Sequence, residues 1–232
     1  MLDLLTIGAH PDDAEIGTGG TLLALKAQGW RVGVLDLTDG EPTPRGDHET
    51  RMEEAAAAAR VLGLDFRRTL DLPNRFLVDT IEARIAVAEV LRETRPRIIL
   101  THVADDSHPD HVAAHRICEA ARFYAKLSRT PWAGEPFYPP RLYHFHLTHK
   151  RVSLPVSFVV DISEQFETKL AAIACYRSQG PLDGGIEAAR RWLDVEPRAL
   201  YYGGLGGVKH GEAYFSPEPL VFRRGEALLP LD

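Results

Sequence analysis

An imidazole and two adjacent carboxylates follow the first apolar run of the chain, and no other feature limits the possible folds as strongly. Residues 4–7 (Leu-Leu-Thr-Ile) are typical of a buried β-strand, and His10, Asp12 and Asp13 come just after them. In open α/β sheets, ligands bind outside the carboxyl ends of the strands. Adjacent carboxylates repel each other, so a cation is needed to hold them there. We therefore expect a metal ion bound by His10 and Asp13, with Asp12 free to act as a base.

Apolar strands and amphipathic helices alternate four times in the first half of the chain. The predicted strands are residues 2–7, 31–37, 65–70 and 97–101, and the predicted helices are residues 18–28, 50–62, 80–93 and 110–124. This alternation predicts a Rossmann-like α/β fold, with a mostly parallel sheet and helices on both faces. The glycines at residues 17–20 do not have the G-x-G-x-x-G spacing of a dinucleotide site.

The second half of the chain has a looser pattern. We predict strands at residues 141–147, 157–162 and 214–222, helices at residues 164–176 and 187–193, and a flexible loop at residues 180–185. The sequence contains no internal repeat, low-complexity tract or composition shift that would mark a domain boundary. A single domain over residues 1–232 is therefore expected.

The composition indicates a globular protein of the cytoplasm. Hydrophobic residues make up 44% of the chain and charged residues 26%, and the net charge of -6 argues against nucleic acid as a partner. No apolar run approaches the ~18 residues of a membrane span, and the start of the chain lacks the basic region of a signal peptide. Cys118 and Cys175 have no C-x-x-C spacing, so we expect reduced thiols.

A second histidine-rich motif, Ser-His-Pro-Asp-His at residues 107–111, follows the fourth predicted strand. It occupies the same position relative to its strand as the first motif, so the two loops converge if the strands are neighbours. His111 would then complete a set with His10 and Asp13. Three protein ligands with an open position are typical of catalytic zinc sites. Nitrogen and oxygen ligands without thiolate favour Zn²⁺, with Fe²⁺, Co²⁺ or Mn²⁺ as further candidates.

Other interpretations of these residues remain open. His111 and His115 lie four residues apart on one helix, so this pair is an alternative ligand set. Each His-Pro-Asp sequence can also be a simple turn, with Asp110 as a helix N-cap. Arg51 is either a surface residue or a substrate contact. Five histidines without paired acids are predicted to be structural or solvated: His102, His144, His146, His149 and His210.

Residues 9–17 together with the motif at residues 107–111 resemble the LmbE-like (PIG-L) N-acetylglucosaminyl deacetylase superfamily. Residues 51–55, Arg-Met-Glu-Glu-Ala, resemble the Arg-x-Glu-Glu-Ala segment of this family. Residues 176–179 and 207–215 are similar to the branch that makes bacillithiol, which removes acetate from N-acetylglucosaminyl-malate.

Ser107 departs from the pattern of that branch, where an arginine often precedes the His-Pro-Asp-His motif. Such an arginine could bind the malate carboxylates. In its absence, Arg51, Arg75 or Lys209 could substitute.

The resemblance implies a zinc-dependent hydrolase, with His10, Asp13 and His111 as the zinc ligands and Asp12 as the general base. Alternatives are a deacetylase of another N-acetylglucosamine compound such as chitobiose, or a non-catalytic metal- or sugar-binding module. A binding module needs no free carboxylate beside its metal, so Asp12 argues against the last alternative.

The resemblance also assigns roles around the metal and suggests how the protein assembles. It implies that Arg51 contacts the substrate. It implies that His108 stabilises the oxyanion or acts as general acid, with Asp110 orienting it. Relatives suggest that the protein is a homo-oligomer.

Overall fold

Residues 1–182 and 184–221 are described by a computed structural model, and they form a seven-stranded sheet flanked by helices. The strands are β1 (Leu4–Gly8), β2 (Val32–Asp36), β3 (Phe66–Thr69), β4 (Ile98–His102), β5 (Arg141–Phe145), β6 (Phe158–Asp161) and β7 (Gly211–Phe215). The helices are α1 (Asp13–Ala27), α2 (His48–Leu62), α3 (Ile81–Thr94), α4 (Pro109–Ala125), α5 (Phe166–Ile173), α6 (Gly185–Arg191) and α7 (Val195–Gly206), with a 3₁₀ turn, Trp192–Asp194, before α7.

The strand order is β3-β2-β1-β4-β5-β7-β6. The first five strands in that order pair in parallel, and β7 pairs antiparallel with both β5 and β6. The chain runs from β1 to β2 on one side, whereas β4 lies on the other side of β1. The carboxyl ends of β1 and β4 therefore form a topological switch point, where open α/β sheets bind ligands.

Helices cover both faces of the sheet, as the sequence predicted. Leu5 and Ile7 of β1 pack in the cluster that α3 and α4 cover, whereas Leu4 belongs to the cluster under α1, α5 and α7. All three side chains are at most 2% exposed. Burial on both faces explains why β1 is a continuous apolar run rather than an alternating one. Within the described ranges, no helix is both long and apolar enough to cross a membrane.

Helix α1 begins at Asp13, five residues before the predicted start at Thr18. Asp12 is its N-cap residue, with a φ of 126°. The glycines of the first turns hid this start in the sequence, because glycine disfavours helix interiors. Here they allow close packing, since a Cβ on Gly20 would lie 2.6 Å from Ile162. Both carboxylates of the first motif therefore lie at the positive end of a helix.

The second half differs more from the prediction. The last strand is Gly211–Phe215 rather than residues 214–222, of which Phe222 lies outside the described residues. Helix α7 was not predicted, because its glycines resemble a loop. Those glycines permit close packing: a Cβ on Gly203 would lie 2.6 Å from the carbonyl oxygen of Lys209, and a Cβ on Gly211 of β7 would lie 2.9 Å from the backbone nitrogen of Gly203. Helices α5 and α6 are also shorter or shifted relative to residues 164–176 and 187–193.

A buried ion pair fastens α1 to α5 and β7. Lys169 Nζ donates to Glu212 Oε1 at 2.6 Å and to the carbonyl oxygen of Ile16 at 2.8 Å. The Glu212 carboxylate also accepts the backbone N–H groups of Gly20 and Thr21, at 2.9 and 2.8 Å. Because each charge is satisfied by several partners, the pair can be buried without leaving an uncompensated ion. Helix α1, which carries Asp13, is thus held in place by contacts with α5 and β7.

We expect Gly20→Ala to lower the free energy of unfolding by about 1–2 kcal/mol, because the added methyl group would overpack against Ile162 by more than alanine gains as a helix former. Chemical denaturation measures this change. The matched control is Gly204→Ala in α7, where no described atom lies within 4 Å of the new Cβ. That variant should be unchanged or more stable by about 0.5–1 kcal/mol. Equal stability of the two variants would contradict the packing argument.

Candidate metal centre and active site

The loops after β1 and β4 meet, as expected for motifs at the ends of neighbouring strands. Asp13 lies between the two motifs: its Oδ2 is 3.4 Å from His10 Nδ1 and its Oδ1 is 3.3 Å from His111 Nε2. The convergence forms a cavity of about 340 Å³ that is also lined by Asp12 and His108. This volume is within the usual range for small-molecule sites.

Three overlapping sets of side chains place their potential ligand atoms within 4.8 Å of one another, and His111 belongs to all of them. The sets are His10–His108–His111, Asp13–His102–His111 and Asp106–His111–His149. The predicted ligands therefore lie in one cluster, but additional histidines and Asp106 lie there too. The hydrogen bonds of each imidazole ring decide which of its nitrogens can still bind a metal ion.

His10 and His111 each use one ring nitrogen to contact a carboxylate and keep the other for the centre of the cluster. His10 Nε2 is 3.1 Å from Asp110 Oδ2, and His111 Nδ1 is 2.7 Å from Asp106 Oδ2. A carboxylate partner that fixes the tautomer in this way is typical of metal-binding histidines. The free atoms are then His10 Nδ1 and His111 Nε2, which are the atoms that face Asp13.

The neighbouring histidines have their inward lone pairs occupied. His102 Nε2 accepts the backbone N–H of Ala9 at 3.1 Å, and His108 Nδ1 accepts the backbone N–H of Asp110 at 3.2 Å. A nitrogen that accepts a hydrogen bond cannot also coordinate a metal ion. His108 must then carry its proton on Nε2, which makes that atom a hydrogen-bond donor.

The charge of this cluster attracts cations. Burial alone would lower the pKa values of the two histidines, but their carboxylate contacts outweigh it. The pKa of His10 is raised to about 9 by Asp110 and Asp13, and that of His111 to about 10 by Asp13 and Asp106. A site that holds protons this firmly on two imidazoles also favours a metal cation. Two imidazole nitrogens and a carboxylate oxygen, without a thiolate, are donors that zinc accepts. The residues present thus fit a zinc ion.

Asp12 faces the same cavity but contacts an arginine instead of the histidines. Arg51 Nη2 donates to Asp12 Oδ2 at 3.2 Å. Burial raises the pKa of Asp12 to about 7, although the charge of Arg51 opposes this shift. Arg51 is only 3% exposed, and its Nε and Nη1 have no hydrogen-bond partner within the described part of the chain. Buried donors are rarely left unpaired, so these N–H groups are candidates for contact with a polar ligand.

Asp110 has a different neighbour from the one expected. Its carboxylate contacts His10, and it accepts the backbone N–H groups of Arg75 at 2.7 Å and Leu77 at 3.3 Å. The ring of His108 is held instead by its own N-cap bond to the backbone of Asp110. Asp110 therefore orients His10, and its backbone rather than its side chain orients His108.

His115 points away from this cluster. Its Nδ1 is 3.0 Å from the carbonyl oxygen of His102, and its ring lies against His144 at 4.6 Å. None of the three ligand sets found among the described residues contains it. This placement favours the structural interpretation of His115 over the His111–His115 pair.

Sequence reasoning missed three residues of the site. Asp106 was not singled out. His102 and His149 were predicted to lack acidic partners, yet His102 Nε2 lies 3.2 Å from Asp13 Oδ2 and His149 Nδ1 lies 3.4 Å from Asp106 Oδ1. Asp106 lies five residues before His111 in the loop after β4, which is the only local signal that could have identified it. The partners of His102 and His149 depend on contacts that local spacing does not reveal.

The matching family model and two similar proteins all carry the names of enzymes that remove an acetyl group. The family model described as PIG-L: GlcNAc-PI de-N-acetylase matches residues 5–122, half of the chain. A diacetylchitobiose deacetylase from Thermococcus kodakarensis is 34% identical over 227 residues, covering 90% of this chain and 80% of the relative. A 1D-myo-inositol 2-acetamido-2-deoxy-alpha-D-glucopyranoside deacetylase 2 from Saccharopolyspora erythraea is 30% identical and covers 78% and 85% of the two chains.

A solved structure is also similar along the whole chain. The conserved protein TT1542 from Thermus thermophilus is 41% identical, with a TM-score of 0.85 over 96% of this chain and 97% of that one. The matched region of the family model contains both motifs of the cluster. This chain is therefore a member of the PIG-L family.

Proposed function

We propose that the protein is a zinc-dependent deacetylase that hydrolyses the acetamide of an N-acetylglucosamine conjugate, with N-acetylglucosaminyl-malate as its substrate. The observation that carries the proposal is Asp12, a carboxylate that lines the cavity beside the cluster but takes no part in the three ligand sets. Membership of the PIG-L family and relatives named as deacetylases support the coarser part, removal of an acetyl group from a glucosamine.

His10 Nδ1, His111 Nε2 and the Asp13 carboxylate would hold the metal ion, because each nitrogen faces one oxygen of that carboxylate and has no hydrogen bond to another described residue. The Asp13 oxygen that would bind the ion is Oδ1. Asp13 Oδ2, by contrast, accepts the backbone N–H of His10 at 2.8 Å. Zinc bound by these atoms would polarise the amide carbonyl and make a water molecule more acidic.

The side chains of this protein then move the protons. Asp12 accepts a proton from the attacking water, whose oxygen bonds to the carbonyl carbon. His108 donates from Nε2 to the oxyanion that develops on the former carbonyl oxygen. Protonated Asp12 then gives the proton to the nitrogen as the C–N bond breaks, which yields acetate and the free amine. His108 carries one proton only, since its Nδ1 accepts a hydrogen bond, and it keeps that proton for the hydrogen bond to the oxyanion.

Arg51 supports substrate binding in this scheme. The charge of Arg51 favours the ionised form of Asp12 against the effect of burial, and its Nε and Nη1, which have no partner among the described residues, would bind the hydroxyl groups of the sugar. The bacillithiol-type segments at residues 176–179 and 207–215 favour the malate conjugate. Location in the cytoplasm and assembly into a homo-oligomer stay predictions.

A second candidate is a deacetylase of diacetylchitobiose, which the 34% identical relative favours. Acetate release from N-acetylglucosaminyl-malate, diacetylchitobiose and N-acetylglucosamine separates the candidates. A higher kcat/KM for the malate conjugate supports the first proposal. Equal values for the malate conjugate and N-acetylglucosamine count against it, and release from none of the three would indicate a non-catalytic binding module.

We expect His10→Ala, Asp13→Ala and His111→Ala each to lower bound zinc and abolish deacetylation, because each removes one of three protein ligands. Elemental analysis of the purified proteins measures the metal content. The control is His115→Ala, which should keep zinc since its ring points away from the cluster. Full zinc occupancy in the first three variants would refute the assignment.

Asp12→Asn should keep its zinc but lose about 10²–10⁴-fold in kcat, the usual range for a lost general acid–base catalyst. The base works only when ionised, so wild-type kcat/KM should fall as the pH falls through the pKa of Asp12. Burial raises that pKa and a bound cation lowers it. This acidic limb should disappear or move in the variant. A zinc-loaded variant with near wild-type kcat would show that another group is the base.

Arg51→Ala should lower kcat/KM by roughly 10–100-fold, about 1.4–2.8 kcal/mol, because it removes charge-assisted hydrogen bonds to the substrate. Steady-state kinetics on N-acetylglucosaminyl-malate measures the change. The control is Arg141→Ala, since Arg141 lies at the opposite end of β5 and does not line the cavity. Unchanged kinetics for Arg51→Ala would show that this buried arginine does not contact the substrate.

A further inference from the structure

A second, larger cavity of about 710 Å³ adjoins the active-site cavity. The two cavities share Leu147, His149 and Leu193 in their walls. Leu193 has a φ of 49° and is 37% exposed, so the chain holds an apolar side chain at the boundary at some cost in backbone strain. A substrate with its acetamide beside Asp12 could therefore extend past Leu193 into the second cavity.

The wall of the second cavity is rich in cations. Lys150, Arg151 and Arg198 line it, and Asp194 is the one carboxylate among its lining residues. Lys150 forms an ion pair with Asp105, outside the cavity wall. The excess of positive charge favours an anionic occupant.

Arg198 of α7 is the half-buried cation of this set, and its contacts are incomplete. Its guanidinium donates to the carbonyl oxygens of Leu193 at 3.3 Å and of His146 and Thr148 at 3.5 Å. It forms no ion pair with any residue of the described ranges, and burial lowers its pKa from the ordinary value. A half-buried guanidinium without an ion pair is stabilised most by a carboxylate or phosphate that accepts two of its N–H groups at once.

A buried polar group in the same wall also lacks a partner. His146 is only 4% exposed, and its Nδ1 is 3.1 Å from the hydroxyl of Tyr202. Its Nε2 makes no hydrogen bond to any described residue. Buried polar atoms are rarely left unpaired without a functional reason.

The other cations that the sequence suggested for the malate carboxylates lie outside the second cavity. Arg51 is paired with Asp12, and Arg75 is exposed to solvent and lines the active-site cavity instead. Lys209 lines neither cavity. Among the three cations in the wall of the second cavity, Arg198 is the one that is half-buried.

We propose that the second cavity is the subsite for the aglycone, that it takes a carboxylate-bearing group, and that Arg198 determines this preference. The proposal rests on the proposed function, since it assumes that the glucosamine occupies the active-site cavity. A neutral aglycone would leave the half-buried guanidinium without a counter-ion, so the cavity discriminates against it.

Arg198→Ala tests the proposal through the preference between substrates. We expect kcat/KM for N-acetylglucosaminyl-malate to fall by roughly 10–100-fold, the loss typical of a charge-assisted hydrogen bond, and kcat/KM for N-acetylglucosamine to change by less than about 3-fold. Arg198→Lys keeps the charge but loses the planar guanidinium that binds a carboxylate through two N–H groups, so kcat/KM for the malate conjugate should fall less than in Arg198→Ala. An equal fall for both substrates in Arg198→Ala would overturn the proposal.

Arg151→Ala is the matched control, because Arg151 lines the same cavity but is exposed and screened by solvent. Its preference between the two substrates should stay within about 3-fold of wild type. The same loss in this variant as in Arg198→Ala would refute the assignment to Arg198.

Calorimetric titration with free malate separates this proposal from the proposed function. Binding to wild type that weakens at least about 10-fold in Arg198→Ala supports the subsite, even if no substrate releases acetate and the deacetylase proposal fails. Equal binding to both proteins overturns the subsite. Inorganic phosphate is titrated alongside, and tighter binding of phosphate than of malate would overturn the preference for a carboxylate.

Discussion

The pairing of β1 with β4 is the constraint on which the site depends. The two strands run in parallel, with Leu4 opposite Ile98 and Thr6 opposite Leu100, so their carboxyl ends lie at the same edge of the sheet. The loops that follow them must meet there. Asp110 thereby reaches His10, 100 positions away in sequence. Because β1 pairs with β2 on its other side, this meeting point is also a crevice open to ligands.

Charge compensation explains how so many acids can lie together at this edge. Asp13, Asp106 and Asp110 each contact an imidazole, and Asp12 contacts Arg51. Removing these partners would leave carboxylates desolvated and repelling one another. The same field that stabilises protonated imidazoles suits a divalent cation. The contacts that stabilise this cluster are thus the same ones that would hold the proposed metal ion.

Beneath the site, a second buried network holds the helix that carries the acids. Arg67 contacts both Glu15 of α1 and Asp36 of β2, and the hydroxyl of Tyr176 donates to Glu15 at 3.0 Å. Together with the Lys169–Glu212 pair, this network fixes α1 from two sides. Rigid support of this kind would keep the proposed catalytic groups within the small tolerances that proton transfer needs.

Local sequence pattern determined a large part of this protein. The apolar run before His10 and the alternation of strands and helices predicted a mostly parallel sheet with helices on both faces. The two motifs, each after a strand, identified His10, Asp13 and His111 as neighbours. These features depend on hydrophobic periodicity and on residue order, and both can be read directly from the amino-acid sequence.

Only the tertiary structure decided which partner each of these groups meets. Asp110 orients His10 rather than His108, and His102 lies against Asp13, because the distance across the sheet and not the spacing along the chain sets these contacts. Helix α7 was not predicted, because glycines in a sequence are typical of a loop. Only the packing of β7 against this helix explains why they are there. The position of Arg198 beside the active site follows from that packing, and no local pattern could have shown it.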